Sequence, residues 1–526
     1  MSLPFGGLRV GSRGREAFWG LGLFLSCVLL YLPSLFNGFL LDDLFYISRN
    51  PALLDPGQWP RFLYDPASLL SEESLSRLIW RPVLGLSYGL NALLAGPDPF
   101  WFHLHDSLNH AANSVLVLLL LRRLAGPGPH AWAGALLFCC HPVQAQSVAY
   151  AGARAGLLSL FFCLGAFLLY AGPADDRRPL GLRPRPRRFA SSLGCFALAL
   201  LSKESSLFLV PVLAAFEWVE RPAPEARGES TGPAWRRLAP FIAAGALYLG
   251  ARTAVLGIVS QRGPWGGGWM EHFQLAVHGL FKTASLVVWP VDLREPYGFL
   301  MGPWFLPESV AMAGILLSAA CLAVWGVRRR SRMGFALFWV FSALLPVSNI
   351  VPFGALAADR YLYAPMAGAA LLLGLGLKGR LDGRAKAAAA LLAAVMALAA
   401  VEAQLKWRSG FVLACEACAA APDDPYPALR LATHYLEWRM LARAEGLTLR
   451  GFAPEAPPDV RRLALKRLAV IRMSAGRFRE AKALLEESLG MDPRQRSVLD
   501  LLARCSLALG DPAASREYFV RAAALP

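Results

Sequence analysis
Apolar residues run in long stretches from Phe18 to Leu405. Most stretches are near the ~20 residues that an α-helix needs to cross a bilayer. After Lys406 they stop, and shorter amphipathic segments follow. The pattern predicts helical spans at 17–36, 104–124, 131–150, 155–172, 189–202, 205–219, 236–256, 308–327, 333–351, 361–378 and 385–405. The expected fold is all-α: a polytopic transmembrane helix bundle of about eleven spans over 1–405, then a small helical domain over 406–526. One further apolar segment, 272–291, carries His272, Gln274, His278 and Lys282. These polar groups make it an interfacial or re-entrant helix rather than a span.

Charge refines this picture. The 526 residues are 56% hydrophobic and 17% charged, with a formal net charge of +16. That excess does not signal nucleic acid, because the basic residues cluster at the ends of apolar runs: Arg122-Arg123, Arg177 to Arg188, Arg236-Arg237, Arg328 to Arg332 and Lys378 to Lys386. Placing all five in the cytoplasm satisfies the positive-inside rule and puts the C-terminal domain outside. Arg9, Arg13 and Arg15 precede the first run, but no small-residue cleavage site follows at Phe36-Asn37-Gly38, so the run is read as an uncleaved span. Of nine cysteines, Cys27, Cys139, Cys140, Cys163, Cys195 and Cys321 lie in apolar runs and read as small hydrophobes. Cys415 and Cys418 form a CxxC without a second pair, which suits a buried pair or a disulfide better than zinc.

The same topology gathers the remaining polar residues at one face. Asp42-Asp43 follows the first span in LDDLFYISRNP. Adjacent carboxylates at a membrane surface couple, so that one can serve as a proton acceptor; a helix cap is the plainer alternative. His103, Asp106, His110 and Asn113 recur at helical spacing and make a polar stripe that must line a cavity or a helix contact. His103 and His105 fall on different faces of that helix, which disfavours a metal site. Arg81, Arg154, Lys203 and Arg360 place four cations on the face of the acid pair, the outline of a phosphate site. His141, Glu204 and Tyr361 are expected to line the same region.

Six stretches in series carry a resemblance: LDDLFYISRNP, WRPVLGLSYGLN, DPFWFHLHDSLNHAANSVLV, HPVQAQSVAY, LLSKES and ADRYLYAPMAG. Together they resemble the transmembrane and tetratricopeptide-repeat O-mannosyltransferases, a branch of the GT-C glycosyltransferases, and the chain looks like a bacterial relative. The resemblance implies a GT-C fold, a polyprenyl- or dolichyl-phosphate sugar as donor, no other cofactor, and an acid in the first outer loop, where Asp42 and Asp43 stand. Two departures matter. Relatives commonly show HPVxxES and GRxDLL; this chain has Gln146 and Gly156 where each acid belongs.

The C-terminal region reads as tetratricopeptide repeats at 462–495 and 496–526, with a worn copy at 425–458. The expected function is a membrane glycosyltransferase that moves a sugar from a polyprenyl-phosphate donor to a hydroxyl of a protein or glycan. The repeats would recruit the acceptor on the extracytoplasmic face: periplasmic in a bacterial inner membrane, lumenal in an endoplasmic reticulum. The alternative is a non-catalytic membrane scaffold presenting its repeats. A transporter is disfavoured because the polar residues gather at one face instead of the midplane.

Overall fold
The computed structural model of the chain describes residues 12–70, 79–172, 186–220, 235–257, 264–265, 268–295, 297, 305–453, 456 and 458–525. Arg9 and most of the Arg177 to Arg188 basic loop lie outside them. The described residues are helical, with no strand among them. The chain divides into two compact units. The first comprises 1–263, 279–293 and 310–409; the second comprises 264–278, 294–309 and 410–526.

The first unit is built from α1 (Ser12–Leu30), α2 (Pro82–Ala95), α3 (Pro99–Leu124), α4 (Pro129–Cys140), α5 (Ala145–Ala149), α6 (Arg154–Ala171), α7 (Pro186–Ser202), α8 (Leu209–Glu220) and α9 (Trp235–Leu256). It continues through α10 (Trp269–Ser285), α11 (Phe305–Arg328), α12 (Arg332–Leu344), α13 (Pro365–Leu377) and α14 (Gly383–Leu405), with the first parts of α10 and α11 assigned to the second unit. Proline opens α2, α3, α4 and α13 at the first turn, where its missing N–H costs nothing. Asp98 caps α3 by accepting the Phe100 N–H at 2.9 Å.

Four described helices are long and apolar enough to cross a membrane by length and composition: Ala151–Ala171, Trp235–Leu256, Leu306–Arg328 and Gly383–Arg408. Leu247, Leu317 and Leu398, on α9, α11 and α14, point their apolar surface outward. A protein that exposes such faces on several long helices is a membrane protein. Inside the bundle, small residues bring backbones together. A Cβ on Gly134 of α4 would lie 2.5 Å from the Ala370 carbonyl of α13, so only glycine permits that approach.

The structure changes two expectations. The stretch 131–150 is not one helix: α4 stops at Cys140, and Pro142–Gln144, α5 and Ala151–Ala153 follow as short turns. Pro142 supplies no N–H to continue α4, and the break delivers His141 to Arg154 to one end of the bundle. The apolar helix α2 lies within what was expected to be a loop. The segment 272–291 is helical only through Ser285, as part of the 17-residue helix α10 (Trp269–Ser285).

Helix polarity sorts the two ends of the bundle. At one end, Arg123 donates to the carbonyls of Ala171 and Gly172, and Arg332 donates to Leu124 and pairs with Glu220. Arg237 pairs with Glu217. These are basic groups of three predicted loops. The turns that carry Asp42-Asp43, His141 to Arg154, Lys203-Glu204 and Asp359-Arg360 lie at the opposite helix termini.

The second unit contains α15 (Gly410–Ala420), α16 (Pro425–Glu437), α17 (Leu441–Leu449), α18 (Pro458–Ser474), α19 (Phe478–Met491), α20 (Arg496–Ala508) and α21 (Pro512–Ala523). Helices α16/α17, α18/α19 and α20/α21 form three hairpins. Each first helix ends at a residue with positive φ: Arg439 (57°), Gly476 (76°) and Gly510 (82°). Glycine takes this left-handed cap without strain. The arginine of the first hairpin marks it as the divergent copy. Ala469, Ala481, Leu485, Val498, Leu502 and Cys505 pack as one core between successive hairpins. Cys415 and Cys418 are free thiols.

Candidate functional site
The acid pair sits just past the end of α1, where the backbone is strained. Leu41 has φ 54°, a conformation costly for a residue with a Cβ. The turn directs the two carboxylates differently. Asp43 is fully buried and accepts the Leu40 N–H at 3.0 Å. Burial pushes its carboxyl well above the usual range; the Leu40 and Gly152 amides oppose this, and the Asp42 charge adds to it. Asp42 is only half-buried, and its backbone N–H donates to the Tyr150 hydroxyl at 3.3 Å. Tyr150 in turn stacks on Trp407, with ring centroids 5.2 Å apart. Gly152 is required here: a Cβ would fall 2.6 Å from the Tyr150 hydroxyl and 3.0 Å from Asp43 Oδ1.

Three of the four predicted cations come together. Arg81 makes a bidentate pair with Glu204, Nη2 to Oε1 at 2.7 Å and Nε to Oε2 at 3.1 Å. Trp80 fixes this loop by donating to the Leu63 carbonyl at 2.9 Å and stacking on Tyr248. Lys203 lies in the field of Arg81, Glu204 and Arg360. Tyr150 lies in the field of Asp42, Asp43 and Arg360. Arg360 therefore links the cationic group to the acid pair. It is held on the turn Asp359–Leu362, whose Arg360 N–H donates to Gln146 Oε1 at 2.7 Å, and its guanidinium sits over the Tyr361 ring. Gln146 thus supplies the acceptor that this turn needs without a charge.

Electrostatics follow from this crowding. Burial raises the Glu204 carboxyl, but the charge and hydrogen bonds of Arg81 outweigh it and hold Glu204 below the usual carboxylate range. For Lys203, burial and then the Arg81 and Arg360 charges pull the ammonium below the usual lysine range, against the opposing pull of Glu204. An anion arriving beside Lys203 would relieve that repulsion.

Arg154 does not join the group, contrary to the expectation. It is fully buried and donates to Asp106 Oδ1 at 2.6 Å, Asn91 Oδ1 at 2.9 Å and the Phe102 carbonyl at 2.9 Å, between the rings of Tyr88 and Phe102. With its donors spent on the protein, it ties α6 to α2 and α3.

Within the polar stripe of α3, Asp106, His110 and Asn113 make contacts to other helices. His110 shares a hydrogen bond of 2.8 Å with the Tyr363 hydroxyl and reaches the Cys139 carbonyl at 3.2 Å. Asn113 donates to the Leu157 carbonyl and the Tyr363 hydroxyl, both at 3.0 Å. His103 is buried against the backbone of Asn37 and Gly38. His141 is buried at the start of the turn Pro142–Gln144 and accepts the Val143 N–H. The Tyr361 hydroxyl bonds both the N–H and the carbonyl of Ala355, closing the 355–361 loop. Glu204 is the partner of Arg81. Tyr150 was not singled out from the sequence, although it ends the HPVQAQSVAY stretch; its adjacency to Asp42 exists only in the folded chain.

Fold and site together define an all-α membrane protein with an acid pair and a cationic group at one end of its bundle. No protein-family model matches the chain. It is similar to protein O-mannosyl-transferases: 24% identical over 480 residues to Tmtc3 of Drosophila melanogaster, covering 74% of this chain and 50% of that protein. It is 30% identical over 190 residues to TMTC2 of Mus musculus, covering 36% of this chain and 22% of that one. The chain thus spans half or less of the length of these relatives. Among solved structures, ArnT of Cupriavidus metallidurans superposes with a TM-score of 0.40 at 14% identity, over 96% of this chain and 78% of ArnT. The oligosaccharyltransferase AglB of Archaeoglobus fulgidus, in complex with an inhibitory peptide and a dolichol-phosphate, gives 0.40 at 13% identity, over 76% of this chain and 56% of AglB.

Proposed function
We propose that the chain is a membrane glycosyltransferase of GT-C type that transfers a sugar from a polyprenyl-phosphate donor to a hydroxyl of a protein or glycan. The observation that carries this reading is the convergence of Asp42-Asp43 with Lys203, Arg81 and Arg360 at one end of a membrane bundle. In the reaction, the acceptor oxygen attacks the anomeric carbon and the bond from that carbon to the phosphate oxygen breaks. The electron pair leaves on the polyprenyl phosphate, and Asp42 takes the acceptor proton. The phosphate is a good leaving group that needs no general acid, and the cations stabilise the charge it gains. Asp43, buried and bonded to the turn, positions Asp42. The C-terminal hairpins act as tetratricopeptide repeats that recruit the acceptor. The test is transfer of labelled sugar from a synthetic polyprenyl-phosphate sugar by the purified chain in liposomes; donor-independent or absent transfer rejects the reading in favour of a scaffold.

The site and the C-terminal unit are assigned to the extracytoplasmic face through eleven crossings. The arginine-rich end would then face the cytoplasm. Reporter fusions after Arg123 and after Leu525 should report opposite sides, and equal signals would reject this topology.

Lys203 gives the free protein a pH dependence. Phosphate binding needs the ammonium, and its pKa is lowered, so donor binding should be full at low pH and fall as pH rises, beginning below the ordinary lysine range. A guanidinium stays charged throughout. Lys203→Arg should therefore flatten the profile, and an unchanged profile would remove Lys203 from the phosphate site.

A further inference from the structure
We propose that the first helices of the C-terminal hairpins bind an acidic, extended segment of the acceptor polypeptide through Arg430, Lys466 and Arg467; this deepens the recruiting role proposed above and rests on it. The three residues lie on neighbouring helices. Arg430 is on α16, and Lys466 and Arg467 are on α18, which packs against α16. Lys466 Nζ donates to Ser497 Oγ of α20 at 3.4 Å, so the row continues onto the third hairpin.

What sets these cations apart is the lack of a counter-charge. Other basic residues of α18 pair with acids on the second helices or at their ends: Arg461 with Glu487, Arg462 with Asp492, and Arg472 with Glu445 and Glu480. Among the described residues, no acid pairs with Arg430, Lys466 or Arg467. All three are half-buried, and Arg467 Nη1 is inaccessible and has no hydrogen-bond acceptor. Burial, ahead of the Arg430 charge, pulls the Arg467 guanidinium down to about 10, against Tyr426 and Glu437. Burial and the Arg467 charge hold Lys466 below the usual lysine range. Glu437, the acid in this field, is exposed and reaches His434 at 3.5 Å. A carboxylate arriving at Arg467 would supply the missing acceptor and end the repulsion along the row.

The dimensions select the occupant. Adjacent helices pack about 8–10 Å apart, so a row from α16 across α18 to α20 covers about 16–20 Å. That is longer than a single phosphate and matches about five or six residues of extended chain. Carboxylates would meet the cations, and the Tyr426 and Ser497 hydroxyls are placed to bond the backbone between them.

The experiment titrates the full-length protein, in phosphatidylcholine nanodiscs, with a fluorescent peptide of about ten alternating Glu and Ser residues, long enough for that span. The matching Gln and Ser peptide is the uncharged control. The wild type should bind the Glu peptide about tenfold or more tighter than the Gln peptide, and added salt should shrink the difference. Arg467→Gln should weaken Glu-peptide binding about fivefold, and Lys466→Gln with Arg467→Gln about tenfold or more. Arg461→Gln removes the same charge from an ion-paired position and should change binding less than about twofold. Arg467→Gln should melt at or above the wild-type temperature, because it removes an unpaired cation; a merely structural arginine would lower it. Equal binding of the two peptides overturns the proposal, as does an equal loss in Arg461→Gln, which would report net charge alone. Glycerophosphate binding as tightly as the Glu peptide would assign the row to a headgroup and overturn it too. A protein that shows the predicted binding but transfers no sugar keeps the acidic-segment surface and loses the glycosyltransferase reading. One that transfers sugar without preferring the Glu peptide keeps the enzyme and loses the surface.

Discussion

Replacing Asp42 by Asn should lower kcat for sugar transfer by roughly a hundred- to ten-thousandfold, the usual span for removing a general base. KM for the donor should change far less, because the base acts on the acceptor proton in the transition state and does not hold the phosphate. Asp43→Asn should behave differently. Its side-chain oxygen can still accept the Leu40 N–H, and the neutral amide resembles the protonated carboxyl that burial favours at this position. Transfer should fall less than in Asp42→Asn, with the melting temperature maintained. Measuring kcat, KM and melting temperature for both variants tests the assignment. Wild-type transfer in both would remove the acid pair from the chemistry, and a larger loss in Asp43→Asn would exchange the two roles.

The largest effect on stability is expected from Arg154. Its guanidinium and the Asp106 carboxylate are both wholly inaccessible and 2.6 Å apart. Taking away one member of a buried pair leaves the other charge without its partner, at a cost of about 3–5 kcal/mol. Arg154→Met also removes hydrogen bonds to Asn91 and the Phe102 carbonyl and the contacts with the Tyr88 and Phe102 rings. The variant should melt far below the wild type or fail to accumulate in membranes. Adding Asp106→Leu should recover part of the loss, since the stranded carboxylate is then gone. If Arg154→Met instead melts like the wild type and loses only donor binding, Arg154 belongs with the phosphate ligands after all.

Several structural features were legible in the chain because they depend on local pattern. Apolar run length reports the helices, since a bilayer rewards an uninterrupted apolar helix wherever it stands. The 34-residue offset between Gly476 and Gly510 reports the hairpin repeat, because each first helix needs a left-handed cap at the same place. Asp42-Asp43 was visible as adjacent carboxylates at the end of a span.

Partnership was not legible. From spacing alone, Arg154, Arg81 and Lys203 are equivalent cations in outer turns. The fold gives Arg154 to Asp106, gives Arg81 to Glu204, and leaves Lys203 beside Gly156. The stripe His103, Asp106, His110 and Asn113 shows the same limit. Its period placed it on one face of α3, but whether that face meets a cavity or other helices depends on Arg154, Tyr363 and the Cys139 carbonyl, residues 29 to 253 positions away. Local sequence therefore determined which segments are helices and which polar residues sit at their ends. Tertiary packing decided which charges neutralise one another and which remain to meet a substrate, because a buried charge takes its energy from the nearest groups in space, whatever their distance along the chain.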